Sequence, residues 1–178
     1  YFLNSILMVV PAVALSTIVG ALNGYVLTKW RFRGDTWVFG LMLFSCFIPF
    51  QIVLIPMAVV LGKLGLAGSV PGLILVHVVY GIGFTTLYFR NYYAAFPTEL
   101  VRAAQIDGAS NWQLYRRIVI PLLRPAFLSA FVILSHLAIK SYDLVVALTG
   151  GGPGRATEMP ATFMYSYTFT RNQMGVGS

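Results

Sequence analysis

Charge is what this sequence has least of. Lysine, arginine, aspartate and glutamate fill only 10% of its 178 positions, against about 25% in soluble domains. Hydrophobic residues fill 58%, which leaves too little polar surface for a water-soluble globule and makes this a membrane protein. Cysteine is nearly absent too. Cys46, the single cysteine, excludes a disulfide framework and a CxxC metal pattern, and is read as a packing residue. The two histidines, His77 and His136, are far apart in separate apolar stretches, and neither HExxH nor GxSxG occurs, so a metal or catalytic site is not expected. The glycine-rich run from Thr149 to Gly154 lacks the Gly-Lys-Ser/Thr ending of a phosphate-cradling loop, so ATP is not expected to bind this chain. Internal repeats and low-complexity tracts are also missing.

Long uncharged runs are present instead. Residues 1–28, 36–62 and 64–89 carry no charge, and at about 1.5 Å per residue each helix reaches across a hydrocarbon core of about 30 Å. A fourth run, 125–139, falls short unless it continues through Lys140 to Leu148. The expected fold is therefore all-α, a polytopic bundle forming a single transmembrane domain over 1–178. Its spans are approximately 4–28, 37–61, 71–89 and 125–148, with a long connection over 90–124.

A net charge of +7 in a soluble domain would suggest nucleic acid. Here the positive residues sit mainly between apolar runs, where they set orientation in the bilayer. Lys29, Arg31 and Arg33 occupy the first loop and Lys63 the second. Arg90, Arg102, Arg116, Arg117 and Arg124 occupy the third. The first and third loops are expected to be cytoplasmic and residue 1 to lie outside, which implies at least one preceding span. Pro49 and Pro56 read as kinks in span two, and the intramembrane Gln51 between them is a candidate pathway residue.

The connection over 90–124 is far longer than the roughly 2 to 8 residues that usually join neighbouring helices. Thr98 suits a helix cap, and Glu99 places negative charge in the first turn. That helix can run to Asp107. Gly108 suits a left-handed closing position, and Ser110 with Gln113 forms a capping-box signal for a second helix carrying Trp112, Leu114, Tyr115 and Ile118. This second helix should stop near Pro121, with Pro125 opening the last span. Physically, such a pair is either a surface for a partner or an interfacial loop whose Arg116, Arg117 and Arg124 meet anionic lipid.

In the last span His136, Lys140 and Asp143 follow at helical spacing, so one face should carry a polar stripe, with Tyr142 beside it. Exposing that stripe to lipid at mid-membrane would cost about 2.5–3.5 kcal/mol per charge. It should face a cavity or partner helix, or Lys140 should snorkel outward and pair with Asp143.

Glu99, Arg102, Ala103, Ala104, Asp107, Gly108, Ala109, Ile118 and Pro121 together resemble the EAA loop of ABC-importer permeases. The likeness extends over nearly the whole chain. It is strongest to the carbohydrate-type permeases related to the maltose transporter, through Asn4-Ser5, Arg31-Phe32-Arg33-Gly34 and Gly150-Gly151-Gly152-Pro153. Arg102 departs from the family, standing where its first glutamate usually is. The first half resembles one of the two maltose-type membrane subunits and the glycine segment the other.

The resemblance implies a non-catalytic permease subunit in a bacterial or archaeal cytoplasmic membrane, from a parent of about six spans. Glu99, Arg102, Ala103, Ala104, Asp107, Gly108 and Ala109 would dock on a separate ATPase, which would hold ATP and magnesium. The implied partners are a second permease subunit, two ATPase subunits, an extracytoplasmic solute-binding protein and the lipid bilayer, with no nucleic acid. Gln51, His136, Lys140, Tyr142 and Asp143 are the candidate pathway residues for a sugar or other solute. A secondary transporter, a channel or a membrane scaffold would show the same hydropathy, but would not need the helix pair.

The charge asymmetry makes orientation testable. Single cysteines at Arg33 and Ala109, in a background lacking Cys46, should react with impermeant thiol reagents only from the cytoplasmic side. Labelling of either from outside intact cells would reverse the topology.

Overall fold

The computed structural model of the chain describes residues 1–30, 32–152 and 154–177. Arg31 of the first loop and Pro153 of the glycine segment therefore lie outside the described residues. Every regular element among the described residues is helical. The first, α1, spans Phe2–Lys29, followed by α2 over Asp35–Ser45 and α3 over Phe50–Lys63. The long α4 covers Val70–Ala94, and the short α5 covers Thr98–Ile106. Next, α6 (Asn111–Leu114) leads through a π-helical turn over Tyr115–Val119 into α7 (Ile120–Ile139). Then come α8 (Tyr142–Thr149), α9 (Pro160–Tyr165), a second π-helical turn over Ser166–Thr170, and α10 (Met174–Gly177). Among the described residues three stretches are long and apolar enough to cross a bilayer: Phe2–Lys29, Val70–Ala94 and Asn111–Ile139.

The frame is a parallel pair, α1 on α4. Ser16, Gly20 and Gly24, four residues apart, line one side of α1, while Gly81, Thr85 and Phe89 line the facing side of α4. A Cβ on Gly20 would collide with the Thr85 side chain. One on Gly24 would lie 2.8 Å from the Arg90 nitrogen, and one on Gly81 2.5 Å from Ser16 Oγ. Small residues let the two backbones meet, and close packing of this kind holds helices together where lipid removes the hydrophobic drive. The Thr85 hydroxyl, buried in the seam, reaches the Ser16 carbonyl at 2.9 Å and its own Gly81 carbonyl at 2.8 Å. Ser16 in turn donates to Ala12 O at 2.7 Å.

Antiparallel to this pair, α7 completes two apolar cores along the bundle. At one end Ala21, Phe89 and Tyr93 meet Leu123, Ala126 and Ala130. At the other Met8, Val9 and Val13 meet Leu73, Val76, Leu134 and Ala138, together with Leu61, Leu144, Val145 and Met159.

Span two is not the straight helix expected over 37–61. α2 and α3 meet at an angle of 101°, because Pro49 opens α3 and cannot donate into a continuing helix. The segment nevertheless travels the length of the bundle. Phe39 lies under Arg90, near the end of α4. Ser45 and Cys46 face Gly83, Phe50 meets Tyr80 edge-on, and Leu61 joins the core containing Leu73. It is a broken span that passes from one end of α4 to the other.

Two expectations about the last span are also corrected. The helix does not stop near Pro121, but runs on from Asn111 to Ile139. The π-helical turn explains this: the Ile120 N–H bonds Tyr115 O, one residue beyond the α pattern, which loosens the ladder where Pro121 would otherwise strain it. The helix then breaks before Leu148. Tyr142 N donates to Lys140 O at 2.8 Å across Ser141, whose φ of −75° and ψ of 70° form an inverse γ-turn. His136, Lys140 and Asp143 therefore do not share one helical stripe. Arg90, assigned to the third loop from its charge, lies inside α4.

At the end of the bundle holding residue 1, the Asn4 amide donates to Arg155 O at 3.0 Å and Glu158 O at 3.1 Å. These bonds pin the glycine segment over the start of α1. Gly150, Gly151, Gly152 and Gly154 all take positive φ there, and buried Thr157 bonds Thr149 at 2.8 Å beneath them.

The seam makes a direct stability prediction. Gly20→Leu should lower the midpoint of thermal unfolding in detergent, with an overpacking cost of about 1–3 kcal/mol or more because backbone must move. Gly40→Leu, at a position with no neighbour within 4 Å, serves as the control and should leave the midpoint unchanged. Equal midpoints for both would mean that the α1–α4 contact is not tight.

Candidate functional site

The first candidate is the helix pair after α4. Pro97 takes the cap position of α5, with Thr98 in the first turn rather than capping by its side chain, and Glu99 beside it. Gly108 closes the turn with φ +80°, a conformation other residues adopt only at a cost. Ser110 and Gln113 form the full capping box: Gln113 N donates to Ser110 Oγ at 3.3 Å, and Ser110 N to Gln113 Oε1 at 2.9 Å. Local sequence thus builds a hairpin of defined shape.

Its two sides differ. Thr98, Val101 and Gln105 face the spans and share a cavity of about 260 Å³ with Tyr25, Tyr93, Asn111 and Tyr115. Glu99, Arg102, Ala103, Asp107 and Gly108 are exposed, while Ala104 and Ala109 are half-buried. Ile106 is 86% and Trp112 70% exposed, so apolar and charged groups alternate on the outer side. One bond ties the hairpin's second arm to the bundle, and another braces α7 just beyond it against α4. The Tyr25 and Tyr115 hydroxyls meet at 2.7 Å, and the Tyr92 hydroxyl donates to Leu122 O at 2.8 Å. Neither tyrosine bond was legible in advance, since each joins residues far apart in sequence with no local pattern to mark them.

The second candidate is a cavity of about 420 Å³ at the α7–α8 break, between α1, α4 and the start of α3. The break brings Lys140, Tyr142 and Asp143 to its wall, and Ser16, His77, Tyr80, Ser141, Phe50 and Phe84 complete the part that matters chemically. His77 Nδ1 donates to Leu73 O at 2.8 Å, which directs Nε2 to the Ser141 hydroxyl at 3.0 Å. The ring is thereby fixed across the cavity. Lys140 and Asp143 share the wall without pairing; among the described residues the ion pair is Arg155 with Glu158, at 3.7 Å.

Gln51 and His136 are both exposed and neither lines this cavity. Helical spacing from Lys140 singles out His136 rather than His77 only where the helix runs unbroken through Lys140. The γ-turn at Ser141 removes that premise. The signal for His77 was available but weak: a histidine in an apolar run, four residues after the carbonyl that holds it.

Among the described residues no three His, Cys, Asp or Glu side chains converge as a metal site.

Residues 12–176 match the family described as binding-protein-dependent transport system inner membrane component. An osmoprotective compounds uptake permease protein of Synechocystis is 34% identical over 165 residues, covering 93% of this chain and 54% of the relative. A diacetylchitobiose uptake system permease protein of Streptomyces coelicolor is 33% identical over 149 residues, 83% of this chain and 49% of the relative. A lactose transport system permease protein of Rhizobium radiobacter is 32% identical over 141 residues, 79% of this chain and 51% of the relative. The chain therefore spans about half the length of the curated relatives it matches.

Proposed function

This chain belongs to the binding-protein-dependent transport system inner membrane components, and from that membership we propose that it translocates a solute as one permease subunit of an ATP-binding-cassette importer. The observation that carries the reading is the hairpin of α5 and α6. Its inward side lines a cavity against the spans, while its outer side presents Glu99, Arg102, Asp107, Ile106 and Trp112. An exposed apolar group flanked by both signs of charge suits a groove on a protein partner better than a headgroup layer, where Ile106 would be expected to turn inward. In this reading the partner is a cytoplasmic ATPase, which carries ATP and magnesium, and Glu99, Arg102, Ala103, Ala104, Asp107, Gly108 and Ala109 form the contact. A second permease subunit would complete the pathway, two ATPase subunits would drive it, and an extracytoplasmic binding protein would deliver the solute across a bacterial or archaeal cytoplasmic membrane.

The proposed solute is a sugar. Two of the relatives carry sugar names, diacetylchitobiose and lactose, and the cavity at the α7–α8 break has suitable chemistry. Tyr80, Tyr142, Phe50 and Phe84 offer ring surfaces for apolar sugar faces, while His77, Ser141, Lys140 and Asp143 offer hydroxyl partners. Gln51 and His136 would act, if on the pathway, only across a subunit contact.

Two experiments test the reading. Gly108→Val places a β-branched residue at φ +80°, a strain of about 1 kcal/mol or more. Uptake should be lost while membrane abundance stays normal and the ATPase still copurifies. Full uptake, or the absence of any copurifying ATPase with the wild-type chain, would remove the importer reading in favour of a secondary transporter or channel. Separately, replacing both Lys140 and Asp143 by leucine should lower the uptake rate and alter preference among a panel of sugars. Unchanged rate and preference would take the cavity off the pathway.

A further inference from the structure

A separate cleft lies at the opposite end of α4, where α1 turns into α2. It encloses about 290 Å³ and is lined by Leu27, Thr28, Asp35, Thr36, Phe39, Arg90 and Ala94. Arg90 lies about 6 Å along the helix from the end of α4, with its guanidinium 3.7 Å above the Phe39 ring. Its Nε is shut off from solvent and has no hydrogen-bond partner. A half-buried cation on an aromatic face gains something from the ring, yet an unpaired guanidinium N–H in such a place still lacks an acceptor.

The obvious acceptor in the cleft is not used. Asp35 shares the cleft with Arg90, but the two do not form an ion pair. Asp35 Oδ1 instead takes the Thr36 N–H at 2.7 Å and lies 3.2 Å from the Thr36 hydroxyl, which holds the carboxylate at the start of α2. The cleft therefore presents a cation and an anion held apart, with an aromatic ring under the cation. Around it, exposed Trp30, Phe32 and Trp37 mark the level at which aromatic side chains sit between hydrocarbon and water.

We propose that this cleft binds a phosphoethanolamine headgroup, its phosphate on Arg90 and its ammonium on Asp35, with a phospholipid of the surrounding bilayer as the source. The phosphate supplies acceptors to the part of the Arg90 guanidinium that lines the cleft, which Arg can meet with two parallel N–H groups. The ammonium supplies donors to the Asp35 carboxylate. A headgroup with a phosphate but no ammonium would leave the carboxylate facing like charge, and a quaternary ammonium would offer it no N–H. The inference needs only that α1 and α4 cross the bilayer, and is independent of the solute and the ATPase.

The test uses the full chain in nanodiscs of phosphatidylcholine, doped with phosphatidylethanolamine or phosphatidylglycerol, and reads both thermal unfolding and the lipid retained on gentle detergent extraction. Phosphatidylethanolamine should raise the unfolding midpoint and be retained in preference to the other two. Arg90→Gln should weaken its retention about tenfold, the loss of a charge-assisted contact. Asp35→Asn should abolish the preference over phosphatidylglycerol. Soluble phosphoethanolamine added to pure phosphatidylcholine discs separates the sources: if it alone reproduces the shift, the site stands and its ligand is a free headgroup compound. Because the comparison among lipids uses the wild-type chain, it does not depend on either variant folding. Equal midpoints and equal retention in all three lipids, or retention untouched by Arg90→Gln, would overturn the proposal.

Discussion

The contact between α1 and α4 sets the position of everything else. In a bilayer the lipid tails are as apolar as the helix faces, so burying leucine brings little advantage and shape decides which helices meet. Here Ser16, Gly20 and Gly24 let α1 sink against Thr85 and Phe89. The Thr85 bond to Ser16 O at 2.9 Å is secondary in energy, since such interhelical bonds average about 0.6 kcal/mol. The many close contacts along the seam outweigh it. With two parallel helices locked together, the chain between them must cross back, and the bent α2–α3 segment does so.

The breaks in the other spans are where polar groups gather. An unbroken helix satisfies its own backbone and presents lipid with apolar side chains. At the Ser141 turn and the Pro49 bend that arrangement stops, and the freed positions are lined by His77, Ser141, Lys140, Tyr142 and Asp143 around one cavity. The cost of irregular backbone at membrane depth is tolerable only when it borders protein or a water-filled space, so the same geometry that ends the helix also creates the room beside it. Unbroken α1 and α4 provide the wall against which that room is measured.

How much of this was legible in the sequence depends on the range of the interaction. Local chemistry was readable: Gly108 in the left-handed region and the Ser110–Gln113 capping box follow from residues within a few positions of each other. So did the all-helical class and the long apolar runs. The small residues at 16, 20 and 24 carry a visible spacing, although their partner could not be named from one chain. Long-range geometry escaped. The Ser141 turn has no proline or glycine to announce it, so a helix through Lys140 looked reasonable and drew attention to His136 rather than His77. Pro121, which does announce a break, is instead absorbed by the π-helical turn before it.

That π-helical turn also bears on how a push on the hairpin would reach the membrane. A short surface helix joined to a bundle only through flexible links would move without consequence. Here α4 runs into α5 through Ala95, Phe96 and Pro97, and the second arm merges with α7 without a loop. Tyr115, within the loosened turn, is bonded to Tyr25 on α1, and Tyr92 on α4 is bonded to Leu122 at the start of α7. The hairpin is thus tied to all three long helices at one end of the bundle, while the cavity at the Ser141 break lies beside the other core of the same helices. Packed helices transmit displacement poorly by bending but well by tilting as bodies, because close-packed interiors resist compression. A tilt imposed through Tyr25 and Tyr92 would pivot on the Gly20–Thr85 seam, and would change the cavity wall at Ser16, Gly81 and Leu134 without requiring any new contact between the two ends.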